Sequence, residues 1–226
     1  MSDFDLPADD AAPADAPQVK PADLAAALAA RMCHDFISPA SAIVSGMDLL
    51  DDPSAADMRD DAMTLISTSA KKLVDMLAFS RIAFGASAAA DTFDVRDLQK
   101  LVEGVFAHVR ADLEWRVEAE SLGKPGARAL LNLAQLGAGA LPIGGTARIS
   151  GVVRDGAALL AVEAVGPRAR LRPEVADGLA GRRLGEGLAG HWVQGYYLHE
   201  LLEAVGGRVE ALVEDGRVLL RARAPQ

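Results

Sequence analysis

In the tract Arg31-Met32-Cys33-His34-Asp35-Phe36-Ile37-Ser38-Pro39, an imidazole stands beside a carboxylate. A hydroxyl follows one helical turn later, with a proline directly after it. An imidazole can carry a phosphoryl group as a covalent intermediate. A neighbouring acid can hold one ring nitrogen and so decide which nitrogen attacks. These residue types suit phosphoryl transfer through His34, with Asp35 orienting the ring and Ser38 positioning a phosphate or a water. Whether the phosphate comes from ATP or from another protein must be read from the rest of the chain.

Helical periodicity places the tract. Pro21-Ala22-Asp23 opens a pattern running to about Leu50, with Leu24, Leu28, Met32, Phe36, Ile43, Met47 and Leu50 on one stripe and Ala40 filling its gap. His34 is two residues from both Met32 and Phe36, about 200° around the helix, and therefore faces away from the stripe. Ser38, Ser41, Ser45, Asp48 and Asp52 share its side, at spacings of 4, 3, 4, 3 and 4. Such short side chains let another protein approach the helix backbone. An ordinary solvated face draws more on Glu, Lys and Gln, which are better helix formers. Pro39 removes the hydrogen bond to the Asp35 carbonyl and is expected to bend the axis. A surface histidine beside a helix break is the plainer reading, and the ridge argues against it.

Asp51-Asp52-Pro53-Ser54 ends this helix. A second pattern runs from about Ala56 to Phe84, with Met58, Ala62, Leu65, Leu73, Met76 and Ala83 on one face, and Gly85-Ala86-Ser87-Ala88 closes it. Ile37 and Val44 widen the apolar surface beyond what one hairpin can bury. Two hairpins packed across a two-fold axis as a four-helix bundle would cover it; the alternative cover is the chain's own C-terminal domain. Thr64, Thr68 and Lys71 on the second helix are candidates to extend a docking surface.

From Thr92 the texture becomes mixed. Val95 to His108, Ala127 to Leu141 and His191 to Val205 read as helices, and Trp115 to Ala119 alternates like a strand. Ala147–Val153 with Ala157–Val165, and Arg208–Val213 with Arg217–Arg223, read as hairpins turning at Asp155-Gly156 and Asp215-Gly216. The expected organisation is α + α/β: a disordered tail over 1–20, a helical-hairpin domain over 21–88, and an α/β sandwich over 92–224 with helices on one face of a sheet.

A net charge of −9 and a pI near 4.9 argue against a nucleic-acid partner. No apolar run approaches the roughly 18 residues of a membrane span, and the acidic, Pro/Ala-rich start does not read as a signal peptide. A single cysteine, Cys33, excludes an internal disulfide framework and reads as a small packed thiol. A soluble cytoplasmic protein is expected. His108, His191 and His199 read as structural, and Trp192, Tyr196 and Tyr197 as core or as the filling of a cleft.

His34-Asp35-Phe36-Ile37-Ser38-Pro39 resembles the H-box of two-component sensor histidine kinases. Its setting, a helical hairpin followed by an α/β domain, matches their dimerization domain followed by an ATPase (Bergerat) domain. The resemblance covers residues 21–224, but the nucleotide motifs fail one by one. Of two asparagines four residues apart, Asn132 matches the first while Leu136 stands at the second, where a hard cation needs an oxygen ligand. The Asp-x-Gly-x-Gly strand end is Ala164-Val165-Gly166-Pro167-Arg168, without the Asp or the last Gly. Gly190-His191-Trp192-Val193-Gln194-Gly195 aligns with the glycine-rich phosphate loop but carries two bulky rings; Gly185-Glu186-Gly187-Leu188 is a weaker rival.

A retained histidine on a domain that lacks ATP contacts resembles the ChpT family of dimeric histidine phosphotransferases. That resemblance implies a homodimer without a cofactor of its own. It implies phosphate taken from the receiver domain of a hybrid histidine kinase onto His34, then passed to response regulators of the CtrA and CpdR types, with Mg²⁺ supplied by the receiver. An active divergent kinase, a receiver phosphatase using the Asp35-to-Ser38 spacing, and a non-enzymatic dimeric scaffold remain open alternatives.

Overall fold

The computed structural model describes residues 19–85, 90–182, 190 and 192–226. Residues 1–18 of the expected 1–20 tail, most of the 85–88 helix stop, His191 and the Gly185-Glu186-Gly187-Leu188 loop lie outside these residues. Helix α1 (Pro21–Asp51) and helix α2 (Arg59–Ala83) are joined by a 3₁₀ turn over Pro53–Met58. Pro21 suits a first turn, where its missing amide proton would have had no partner. At the tip, Asp52 accepts hydrogen bonds from the Ser54 hydroxyl (2.7 Å) and amide (2.8 Å), and these hold its carboxyl below the usual carboxylate range. The two helices approach closely at Gly46, where a Cβ would stand 2.6 Å from Cγ1 of Ile66. Helix α1 continues through Pro39, which is buried.

The following elements are β1 (Thr92–Asp94), α3 (Val95–Phe106), β2 (Ala111–Val117), β3 (Ser121–Gly123), α4 (Lys124–Gly139), β4 (Gly145–Arg154) and β5 (Ala157–Val165). Then come α5 (Pro173–Leu179), α6 (Trp192–Glu203), β6 (Arg208–Glu214) and β7 (Arg217–Pro225). Strands β1 and β3 form a small antiparallel pair. The main sheet has the order β2-β4-β5-β7-β6, with only β2 and β4 parallel. Asp155 (φ 52°) and Gly156 (φ 69°) make the left-handed turn that lets β4 return as β5.

Period-2 alternation divides the sheet into two faces. Ile149, Leu160, Val162 and Leu220 are buried in one core with Leu130 and Leu133 of α4. The opposite face carries an ion-pair ladder across the strands: Glu114 to Arg148 at 2.7 Å, Arg148 to Glu163 at 2.5 Å, and Glu163 to Arg217 at 2.6 Å. A one-residue slip would drive these charges into the core, so they help fix the register.

The hairpin is built onto this domain. Val19, Leu24, Ala27 and Leu28 pack on Trp192, Val193 and Tyr196, while Phe79 and Ala83 of α2 enter the main core. The Ala83 carbonyl accepts from the Asn132 amide and the Tyr197 hydroxyl, each at 3.2 Å. Asp75 of α2 meets His108, beyond α3, at 2.8 Å.

Three stripe assignments are corrected. Met47, Met58 and Leu65 are exposed, and Gly46, Ile66 and Ser69 lie deeper in their stead. Periodicity identifies apolar positions, whereas the small residue at 46 sets where the helices touch. The sheet is mixed, β2 begins at Ala111 ahead of the expected Trp115, and β1, β3 and α5 were not anticipated. Among the described residues no helix is long and apolar enough to cross a membrane.

Candidate functional site

His34 sits on the outside of α1 with its side chain 87% exposed. Its Nδ1 is 3.4 Å from Oδ1 of Asp35, and Nε2 has no hydrogen bond among the described residues. The pair is loose for a hydrogen bond, as groups awaiting a reaction partner often are. The geometry leaves Nε2 open to solvent and sets a carboxylate oxygen beside Nδ1. Ser38, Ser41, Ser45, Asp48 and Asp52 are all exposed, so the 4-3-4-3-4 ridge is a continuous accessible strip. Thr64, Thr68 and Lys71 are likewise exposed on one face of α2. Thr68 donates its hydroxyl proton back to the Thr64 carbonyl at 2.8 Å, so that proton is already engaged within the helix. Cys33 is exposed, not packed as expected: it lies on the same open side of α1 as Ile37.

Asp35 turns the other way, into the junction between the hairpin and the α/β domain. Beside it lies Arg31, one turn earlier, 17% exposed and 3.7 Å from Oδ2 of Asp35. Burial pulls the Arg31 guanidinium below its ordinary range and the Asp35 charge opposes that pull. Arg31 also donates to the Gly190 carbonyl at 2.7 Å. Sequence reading missed this residue. The i,i+4 spacing to Asp35 was the available signal, whereas the contact to Gly190 spans 159 positions. Arg31 and Asp35 line one wall of a cavity of about 300 Å³, completed by apolar side chains including Met32, Phe36, Met76 and Phe79.

The residues matched to nucleotide motifs make contacts within the protein. Asn132 is fully buried, donates to the Ala83 and Arg128 carbonyls, and accepts from Gln194 at 3.2 Å. Gln194 also donates to Gln135 at 2.7 Å. Leu136 and Ala164 are buried. Gly166 is explained by backbone packing, since a Cβ there would lie 2.7 Å from the Gly144 carbonyl oxygen. Gly195 lies inside α6 and serves helix contact: its Cβ would lie 2.7 Å from the Val175 carbonyl oxygen of α5. Trp192 is fully buried, stacks on Tyr196 with centroids 4.5 Å apart, and donates its indole N–H to the Arg182 carbonyl. Tyr197 is half-buried against Phe84, and desolvation raises its phenol above the ordinary tyrosine range.

The remaining described histidines have protein partners. His108 pairs with Asp75, and His199 sits between the Leu179 carbonyl (3.1 Å) and Glu203 (3.2 Å). His199, Glu200 and Glu203 bring one ligand atom each within 4.8 Å of one another, a grouping that the sequence reading overlooked. The His199 ring nitrogens are both engaged within the chain.

Residues 95–217 match the family model for the histidine phosphotransferase C-terminal domain. Protein phosphotransferase ChpT of Brucella abortus (strain 2308) is 35% identical over 198 residues, or 85% of this chain and 92% of that protein. A solved bacterial phosphotransferase superposes with a TM-score of 0.82 at 30% identity, covering 91% of this chain and 98% of the other. These similarities take in the hairpin as well as the α/β domain, so the chain belongs to the ChpT-like histidine phosphotransferases.

Proposed function

We propose that the chain is the intermediate carrier of a phosphorelay, receiving a phosphoryl group on His34 from the receiver aspartate of a hybrid histidine kinase and handing it to the aspartate of a response regulator. The observation that carries this reading is the pairing of an exposed His34, with Asp35 beside it, at the head of an accessible ridge with an α/β domain in which Asn132 and Gln194, and Trp192 and Tyr196, are engaged with one another.

In the forward step the Nε2 lone pair forms the N–P bond as the P–O bond to the receiver aspartate breaks and that carboxylate departs. Nδ1 keeps its proton, shared with Asp35, whose charge offsets the imidazolium that forms. The second receiver reverses the step: its carboxylate attacks phosphorus and neutral His34 leaves. Mg²⁺ and a lysine of the receiver would neutralise the phosphoryl oxygens, so this chain's part is positioning. Ser38 would meet the phosphate or a water, and the exposed Ser41, Ser45, Thr64, Thr68 and Lys71 would extend the docking surface. The partners are then CtrA- and CpdR-type receivers, met in the cytoplasm.

A second copy of the chain completes the particle in this reading. Ile37, Val44 and Met47 on α1, with Met63, Val74 and Leu77 on α2, remain exposed although the hairpin already packs on its own C-terminal domain. An apolar strip of this kind suits the centre of a four-helix bundle.

The test is to incubate the protein with a phosphorylated receiver and, separately, with labelled ATP and Mg²⁺. Label should reach His34 only from the receiver and should be absent in His34→Ala. Labelling of His34 by ATP alone would make the chain a kinase. Full-rate clearance of receiver phosphate by His34→Ala would make it a phosphatase.

A further inference from the structure

Arg31 spans the two halves of the molecule at the reactive centre. One guanidinium nitrogen donates to the Gly190 carbonyl of the α/β domain at 2.7 Å, and Nε lies 3.7 Å from Oδ2 of Asp35. The other carboxylate oxygen, Oδ1, lies 3.4 Å from Nδ1 of His34. The Asp35 carboxylate thus bridges Arg31 and His34, one oxygen to each. The first turns of α1 are seated on Trp192 and Tyr196, so Arg31 is largely removed from water. A desolvated guanidinium is costly to bury without partners, and here one backbone carbonyl of the second domain accepts its hydrogen bond while the carboxylate that faces the histidine lies at ion-pair distance.

We propose that Arg31 is a positioning residue through which the α/β domain sets the orientation of Asp35, and thereby which ring nitrogen of His34 is free to take the phosphoryl group. The inference rests on the phosphorelay reading of His34. The guanidinium holds the Asp35 carboxylate turned so that Oδ1 meets Nδ1 of the ring. That keeps the proton on Nδ1 and leaves the Nε2 lone pair exposed. Without Arg31 the carboxylate loses its counter-charge and its anchor, and the imidazole reverts to a mixture of tautomers. The simpler alternative makes Arg31 a clamp between domains, whose loss lowers stability and leaves the ring untouched.

The two separate by ¹⁵N NMR of the His34 ring in the full chain. A parallel reaction with phosphoramidate, a small donor that phosphorylates imidazole with loss of ammonia, needs no docked partner. In the parent protein we expect Nδ1 protonated and Nε2 bare. In Arg31→Gln the two nitrogens should become mixed and the phosphoramidate rate should fall about tenfold, with Arg31→Lys recovering part of both. Melting temperatures of all three proteins register any clamp role, and Arg31→Lys carries the comparison should Arg31→Gln not fold. Arg31→Gln with parental ring shifts and a parental rate, at whatever melting temperature, would overturn the proposal. If the parent accepts no phosphate from any receiver while the ring shifts still follow Arg31, positioning stands and the relay reading fails.

Discussion

At the residue scale the chemistry condenses onto two side chains with opposite surroundings. His34 is open to solvent, whereas Asp35, its neighbour in sequence, points into the domain junction. Helix geometry produces this split, because successive residues are turned by about 100°. Asp35→Asn keeps the size and a hydrogen-bond acceptor but removes the charge that offsets the imidazolium. We expect the rate of phosphoryl transfer to His34 to fall about 10²-fold with receiver binding unchanged, as stopped-time transfer assays and titration of an unphosphorylated receiver would show. His34, Asp35 and the serine ridge were legible because their signal is local: adjacent residues and one helical period. Arg31 was not, since half of its meaning is a carbonyl 159 positions away.

At the element scale, the two helices of the hairpin are each asked to satisfy two neighbours. The first turns of α1 and the last turns of α2 pack on the α/β domain, and the rest leaves an apolar strip in the open. Val74, 63% exposed, and Leu77 lie on that strip. Replacing both with Asp should convert a dimer to a monomer by light scattering while far-ultraviolet circular dichroism stays unchanged. A particle of unaltered mass would move the interface elsewhere. Trp192 is the largest fully buried side chain at the foot of α1, and Trp192→Ala should cost about 3–5 kcal/mol of stability, measured by denaturant unfolding. A loss under 1 kcal/mol would mean that the contact is dispensable. Long helices and the two Asp-Gly hairpins could be read from periodicity and turn chemistry. The three-residue β1 and β3 and the seven-residue α5 are too short to carry a period, and Met47, Met58 and Leu65 show that apolar spacing does not name the surface that covers it.

At the scale of the whole molecule, the interior of the α/β domain is engaged in holding the hairpin. Asn132 ties α4 to the end of α2 and to Gln194, and the Trp192–Tyr196 stack carries the start of α1. The departures from the kinase nucleotide motifs could be read in the sequence, because each motif is a short string. The sequence did not reveal what the substituted residues do, because their contacts run between domains. A domain engaged in this way is suited to receiving phosphate from a partner at His34. The most direct measurement mixes the protein with one phosphorylated receiver and a second, unphosphorylated receiver in Mg²⁺ without nucleotide, and follows label with time. Label should leave the first receiver, pass transiently through His34 and accumulate on the second, with no transfer in His34→Ala. Equal transfer with His34→Ala, or a chain that acquires label only when ATP is present, would contradict the account.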